Sequence, residues 1–348
     1  MAPCIVMAKS TPPRRSEGGG FIIADILAGY DYQQTDPFLI WHELPKKYMH
    51  RGEFPGAPMH PHRGFSEVPY FKKMGQTTYT RRVSGIDEDG GMGDGDLEWG
   101  MAGNGIEHGV TVSPEWEGEM HGFQLWVNLP EANRLDAPDF QNASSKVLPK
   151  FEFCQNLSCK VLVGEMKGQK SPVQPRHTDI AYFDFEVQNR GTVMTPLSIP
   201  LAQKRRMLYV YEGSLKVISR EIKHDLRRHE FPEAGRRRAD GAAELTSRSG
   251  LSHPAAIPHI SNQGASRGET PVQVETGEVV MLSEDGEEVL LTDLSPDCQF
   301  LLATGTPLRE ECVQYGPFVM GDKAAVMQAF QDFQMGRLSK KPATYTRY

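Results

Sequence analysis

Two histidines two residues apart carry the clearest chemical signal in this chain. In the segment His60-Pro61-His62 both imidazoles would lie on one face of an extended strand, because residues i and i+2 of a strand point to the same side. A third histidine, His108, follows a Gly-rich stretch at residues 95–107. Imidazole nitrogens suit iron, copper, nickel or zinc rather than magnesium or calcium. The pattern therefore predicts one transition-metal site on these three histidines, with positions left open for water, oxygen or substrate.

The sequence lacks the motifs of other common catalytic and binding sites. An isolated His-x-His pair would be weak evidence, since surface or hydrogen-bonded histidines give the same pattern, and the Gly-rich element before His108 is what favours a metal site. The sequence contains no Gly-x-Ser-x-Gly elbow, no phosphate-binding loop and no dinucleotide fingerprint. Cys154 and Cys159 have four residues between them and no second pair accompanies them, which argues against a zinc site.

The elements that must position the histidines read as short β-strands. Apolar and β-branched runs alternate with polar or Gly-rich breaks, and the 34 glycines and 25 prolines favour many turns. Strands at this spacing predict a barrel or jelly roll, and two strand-rich blocks predict a tandem pair. Near the end, apolar residues at three-residue steps predict an amphipathic helix over Lys323–Gln334.

The domain organisation follows from these blocks. We expect a mobile arm at residues 1–20, an N-terminal barrel with the metal site at 21–145, a second barrel at 146–335 and a tail at 336–348. Residues 220–270 contain few large apolar side chains and predict a flexible insertion. Its basic clusters at 227–228 and 236–238 are typical of a solvated surface or of a nuclear-localisation or docking patch.

Composition narrows the class of protein. The chain has 348 residues, 39% hydrophobic and 24% charged, with a net charge of −7, which is typical of a soluble globular protein and argues against direct nucleic-acid readout. Five scattered cysteines favour a reducing compartment, the cytoplasm or the nucleus. No apolar run is long enough for a membrane span. The start lacks a secretory signal, whereas a short organellar presequence stays open.

Several ordered motifs resemble the signature of the pirin family of bicupins. The resemblance runs from about residue 20 to 335, apart from the expected insertion. It is carried by TDPFL (35–39), HPHRGF (60–65), GDLEW (95–99), AGNGI (102–106) with His108, HGFQLWVNLP (121–130), GTPLRE (305–310) and YGPFVM (315–320).

This resemblance implies an all-β fold of two tandem cupin barrels, each an antiparallel jelly roll, with a metal in the N-terminal barrel. The family metal is usually iron, so Fe²⁺ is the expected cofactor, with other divalent transition metals open. The family ligands are three histidines, which map onto His60, His62 and His108, and a glutamate two residues after the third histidine. That position is Val110 here, which cannot bind a metal.

Three consequences of Val110 stay open. The site could bind its ion through three histidines and waters, or metal binding could be weakened or lost. A carboxylate from the same region could also substitute, with Glu107, Glu117 and Glu119 as candidates.

A second departure follows the HPHRGF motif. The family often has Glu directly after that motif, whereas this chain has Ser66 and then Glu67, and a shift of one residue turns a strand side chain to the other face. Arg63, Ser66, Glu67 and His121 are expected to surround the ligands without binding the metal.

Three functions are compatible with these observations, and no catalytic residue is assigned. The family resemblance implies a metal-dependent dioxygenase of the quercetin 2,3-dioxygenase type, acting on a small phenolic substrate. It equally implies a nuclear, iron-dependent coregulator that binds a protein partner in a transcription-factor complex. A metal-free cupin used as a binding or scaffold protein is the third. We expect a monomer in the cytoplasm or nucleus, without membrane association.

Overall fold

Strands dominate the chain because short β-branched and aromatic runs alternate with tight turns. The computed structural model describes residues 3–17, 20, 22–219, 224–225 and 270–348. Strands account for 54% and helices for 7%, which confirms the predicted all-β class. None of the helices in these ranges is long and apolar enough to cross a membrane.

The described part of the first half contains twelve strands, one short α-helix and a 3-10 turn at Glu131–Asn133. In chain order they are β1 (Val6–Ser10), β2 (Arg14–Ser16), β3 (Ile22–Asp25), α1 (Tyr32–Thr35), β4 (Phe38–Met49), β5 (Ala57–His62), β6 (Phe65–Lys73), β7 (Thr77–Val83), β8 (Ile86–Met92), β9 (Leu97–Met101), β10 (Ile106–Val112), β11 (Gly118–Asn128) and β12 (Asp139–Ala143).

The second half continues with strands and contains the predicted helix near its end, whose bounds Lys323–Gln334 match the prediction. The elements are β13 (Lys150–Cys154), β14 (Leu157–Val163), β15 (Glu165–Met166), β16 (Gln169–Lys170), β17 (Ile180–Val187), β18 (Leu197–Pro200), β19 (Arg205–Glu212), β20 (Ser214–Ser219), β21 (His224–Asp225), β22 (Thr270–Glu275), β23 (Glu278–Leu282), β24 (Glu288–Thr292), β25 (Gln299–Gly305), β26 (Val313–Tyr315), β27 (Phe318–Met320), α2 (Lys323–Gln334) and β28 (Thr344–Arg347).

The two halves repeat one architecture, an eight-stranded sheet with a four-stranded sheet. The N-terminal pair has the orders β2-β3-β4-β11-β6-β9-β12-β28 and β5-β10-β7-β8. The C-terminal pair has the orders β13-β14-β17-β25-β19-β23-β1-β21 and β18-β24-β20-β22. This is the predicted tandem cupin arrangement, although the strand pairing within the described ranges leaves the sheets open instead of closing a barrel.

The two domains share a core. One cluster of fully buried side chains joins Trp41, Trp99 and Phe123 of the N-terminal domain to Tyr182 and Leu301 of the C-terminal domain. Large aromatic side chains dominate such interfaces because each removes a large apolar area from water. The domains are therefore held together by an extended hydrophobic contact.

Both chain ends differ from their prediction. Residues 1–20 were expected to form a mobile arm, but β1 lies inside the C-terminal sheet, between β23 and β21, with Val6 fully buried. The tail expected at 336–348 contains β28, which pairs in parallel with β12 of the N-terminal sheet, and Leu338 is buried. Both are long-range pairings, which local Pro, Arg and Gly content does not reveal. The expected insertion and its basic clusters lie outside the described residues, except for β21 and Thr270.

Candidate metal centre

Strand pairing brings the three predicted ligands together. Strands β5 and β10 are antiparallel, with His60 opposite His108 and His62 opposite Ile106. Because side chains alternate along a strand, His60 and His62 face the same side, toward His108. The Gly-rich turn at 102–105 allows the chain to leave β9 and enter β10 beside β5.

The ring nitrogens converge on one point. The Nε2 atom of His108 lies 3.0 Å from Nε2 of His60 and 3.1 Å from Nε2 of His62. Two nitrogens bound at about 2.1 Å to one ion, at right angles, would be about 3.0 Å apart. The separation of the donor atoms therefore fits a single transition-metal ion with the three histidines on one face.

Hydrogen bonding at the outer nitrogens supports a cation at this point. Nδ1 of His60 lies 2.7 Å from the Pro58 carbonyl oxygen, which can only accept, so the neutral ring has its Nε2 lone pair directed toward His108. Nε2 of His108 has two nitrogen neighbours, and one hydrogen on it could serve only one of them. An ion would satisfy all three atoms together.

Burial keeps these imidazoles uncharged. Desolvation lowers the pKa of His60, and it lowers the pKa of His62 and His108 much further. Neighbouring imidazoles add repulsion that depresses the pKa of His62 and His108 again. Neutral imidazole is the form that binds metals, so the environment holds the rings in the state that a metal requires.

Glu67 is a carboxylate at the edge of this cluster. The side chain comes from β6 and is fully buried, and its Oε1 lies 3.2 Å from Nδ1 of His108. Its Oε2 lies 3.8 Å from Nε2 of His62 and accepts a hydrogen bond from Gln124 Nε2 at 3.4 Å. Burial raises the pKa of the Glu67 carboxyl to about 8, against the opposing charge of Arg81.

The structure places the other carboxylate candidates elsewhere. Glu117 pairs with Arg51 at 3.6 Å and Glu119 pairs with Lys46 at 3.7 Å, both at the surface. Glu107 precedes His108 on β10 and stands opposite Arg82, so its side chain points to the other face of the strand. In the described ranges, the group with metal-binding geometry contains His60, His62 and His108.

Val110 faces an apolar environment. It packs against a cluster that contains Phe71, Met74 and Tyr79. Apolar packing at this position agrees with the loss of the family's ligating glutamate.

The remaining predicted neighbours have structural contacts. Arg63 donates to the Asn104 carbonyl oxygen at 2.7 Å, to Asp332 at 2.9 Å and to the Leu338 carbonyl oxygen at 2.7 Å. The guanidinium therefore joins the histidine-bearing segment to the C-terminal helix. Ser66 is fully buried on β6.

His121 lies at the domain interface instead of the metal centre. Its Nε2 is 2.9 Å from Glu43, and the same carboxylate accepts a hydrogen bond from Tyr209 of the C-terminal domain. This histidine–carboxylate pair therefore belongs to the contact between the domains.

An aromatic pair forms one wall of the centre. Phe65 and Trp126 stack at 4.1 Å, and their ring centroids lie 5.2 and 5.1 Å from that of His62. Neither ring was predicted from the sequence as part of the centre. The two rings restrict His62 and shield one side of the centre from water.

Comparison with known proteins places both halves of the chain in one family. The family model described as Pirin matches residues 22–127, and the model described as Pirin C-terminal cupin domain matches residues 237–339. Human pirin is 29% identical over 92% of this chain and 89% of its own length. A Pseudomonas aeruginosa protein, named provisionally as a quercetin 2,3-dioxygenase, is 28% identical over 93% of this chain and 94% of its own.

A solved structure agrees with the fold. The crystal structure of quercetin 2,3-dioxygenase from Acinetobacter baumannii superposes with a TM-score of 0.71 at 23% identity, covering 97% of this chain and 99% of that one. The order of motifs, the paired two-sheet domains and the family models over both halves agree, and the chain belongs to the pirin family.

Proposed function

We propose that this protein binds a divalent transition metal, iron(II), through His60, His62 and His108 and acts as an oxygenase on a small phenolic substrate. The observation that carries the proposal is that the Nε2 atoms of His60 and His62 lie 3.0 and 3.1 Å from Nε2 of His108. Names of relatives support the chemistry, since two bacterial proteins, from Pseudomonas aeruginosa and Vibrio cholerae, are provisionally named quercetin 2,3-dioxygenases.

The residues around such a metal would have different roles. A bound metal would supply Lewis acidity for a phenolic oxygen. The Pro58 carbonyl oxygen orients the His60 ring. The Phe65–Trp126 pair confines His62 on its apolar side. His60 is the least buried of the three histidines, so substrate would approach from its side.

Elemental analysis of the purified protein tests the metal-binding part. We expect about one bound transition metal in the wild type and a loss of about tenfold or more in affinity for His62→Ala, because a ligand is removed. The matched control is His50→Ala, which removes an exposed histidine and should leave the metal content unchanged. Wild-type protein that binds no transition metal would contradict the proposal and favour a metal-free binding protein.

Oxygen consumption tests the oxygenase part separately. Protein loaded with iron(II) under anaerobic conditions should consume oxygen when quercetin is added, and the His62→Ala variant should not. Iron-loaded protein that consumes no oxygen with a panel of flavonols and simpler phenols would refute the oxygenase activity and leave the metal site standing.

A further inference from the structure

The burial of the Glu67 carboxyl requires an energetic explanation. Glu67 is fully buried, and burying an ionised carboxylate without a cationic or hydrogen-bonding partner is strongly unfavourable. Among the described residues, its Oε2 accepts one long hydrogen bond from Gln124, while its Oε1 has no hydrogen-bond partner and lies 3.2 Å from Nδ1 of the neutral His108 ring. Arg81, which exerts an opposing positive charge on Glu67, is paired with Glu88 and Glu98. The unpartnered oxygen of this buried carboxyl therefore lies beside the histidine cluster, where a bound cation would supply the missing positive charge.

The local backbone makes room for this side chain. Glu67 stands opposite Gly100 of β9, and a Cβ atom at Gly100 would approach the Glu67 Cγ atom to 3.3 Å. Trp126 stands opposite Glu67 on the other neighbouring strand, β11. The carboxylate is thus held from both sides and directed at the imidazoles.

We propose that Glu67 is the carboxylate of this metal centre, supplied from β6, and that it takes the place of the glutamate absent at Val110. It acts as a positioning residue: its Oε1 is buried without a hydrogen-bond partner and lies 3.2 Å from Nδ1 of His108. A metal bound at Nε2 would leave the hydrogen of that ring on Nδ1, where this oxygen could accept it and hold the tautomer. With the ion bound, the ionised carboxylate would balance part of its positive charge. The two departures from the family pattern, at positions 110 and 66–67, then have one explanation: the carboxylate is absent from position 110 and is supplied by position 67 instead. This inference rests on the metal-binding part of the proposed function and is independent of the oxygenase part.

Carboxylate–histidine contacts of this kind strengthen metal binding in proteins by orienting the ring and raising its basicity. Here the contact is 3.2 Å long, and both partners are buried, so water competes little for either group. A neutral amide at position 67 could still accept a hydrogen bond, but it would remove the charge.

Binding of Co²⁺, followed by its visible absorption and by competition with a chromophoric chelator, provides the test. Glu67→Gln should lower the affinity about 10- to 100-fold and change the Co²⁺ spectrum, because the amide removes the negative charge beside Nδ1 of His108. Glu43→Gln is the matched control, since Glu43 is also a buried carboxylate paired with a histidine, His121 at 2.9 Å. Its affinity should stay within about twofold of the wild type.

Returning the carboxylate to the family position completes the experiment. The double variant Glu67→Gln/Val110→Glu should recover most of the lost affinity if the two positions supply the same charge. Circular dichroism and metal-free thermal unfolding confirm that each variant folds. If Glu67→Gln does not fold, Glu67→Asp retains the charge at shorter reach and should give an intermediate loss.

Two results would overturn the inference. A folded Glu67→Gln variant with wild-type Co²⁺ affinity and spectrum would show that Glu67 does not serve the metal, while a loss of binding in His62→Ala would leave the proposed function intact. Wild-type protein that binds no Co²⁺ or Fe²⁺ would remove both proposals together.

Discussion

The two domains share one arrangement of sheets but differ in what lies between the sheets. Each pairs an eight-stranded with a four-stranded sheet. In the N-terminal domain the small sheet contributes His60, His62 and His108 to the interior. In the C-terminal domain the equivalent small sheet contributes apolar side chains, among them Ile199 and Val217. The difference shows that the fold tolerates either a polar centre or a packed core between its sheets, and that side-chain choice on a few strands decides which one forms.

The largest expected effect comes from the packed domain. Phe300 is fully buried and stacks on Phe185 at 4.8 Å, so Phe300→Ala should lower the free energy of unfolding by about 3–5 kcal/mol. Metal bound per folded molecule should not change, because the histidines lie in the other domain. Denaturant unfolding and elemental analysis measure the two quantities. Met194→Ala, at an exposed position, serves as the control. A parallel loss of metal in Phe300→Ala would show that the metal centre depends on the packing of the C-terminal domain.

A second change tests the link between the metal-binding segment and the C-terminal helix. Arg63 directly follows His62, and its buried pair with Asp332 is 2.9 Å long. Asp332→Ala leaves a buried guanidinium without its charge partner and should cost about 3 kcal/mol in the free energy of unfolding. Arg337→Ala, which removes an exposed arginine 3.9 Å from the same carboxylate, should cost less than about 1 kcal/mol. Equal effects for the two variants would contradict the importance of the buried pair.

The smallest of these effects concerns the interface between the domains. Asp184 of the C-terminal domain accepts hydrogen bonds from Tyr70 at 2.7 Å and from Tyr211 at 2.5 Å, and it pairs with Lys72 at 3.3 Å. Burial would raise the pKa of the Asp184 carboxyl, but Lys72 and the two hydroxyl groups together hold the pKa below its usual range. Asp184→Asn should therefore cost about 1–3 kcal/mol at neutral pH.

The pH dependence gives this variant a distinctive signature. With a depressed pKa in the folded state, the carboxylate stabilises the protein above the unfolded value of 3.8, and this contribution is lost as pH falls through the folded-state pKa. The difference in unfolding free energy between wild type and Asp184→Asn should consequently shrink between about pH 5 and about pH 3. A difference in unfolding free energy that stays constant with pH would show that the charge of Asp184 does not stabilise the protein.

Local patterns in the sequence predicted the elements that hold the histidines. The i, i+2 spacing of His60 and His62 predicted their common face, and the apolar steps in 323–334 predicted α2 with its bounds. Both signals are local, since the spacing of side chains along one element determines them. The Gly-rich element before His108 indicated that this histidine joins the pair, but the antiparallel pairing of β5 with β10 was not predicted.

The contact of Glu67 with His108 could not be predicted from alternation along the strand. Ser66 and Glu67 are both fully buried, because β6 lies between β11 and β9 in the middle of its sheet and both of its faces are covered. A shift by one residue therefore does not bring a side chain to the surface. A charged residue within the apolar strand FSEVPYF (65–71) was the available signal, since an unpaired carboxylate is rarely buried.

Each terminal strand belongs to the sheet of the domain at the other end of the chain. β1 completes the sheet of the C-terminal domain, whereas β28 completes the sheet of the N-terminal domain. Cutting the gene between the domains would consequently give two fragments, each carrying a strand that belongs to the sheet of the other. Neither fragment would be a complete folding unit, and mixing the two would be the way to restore both sheets.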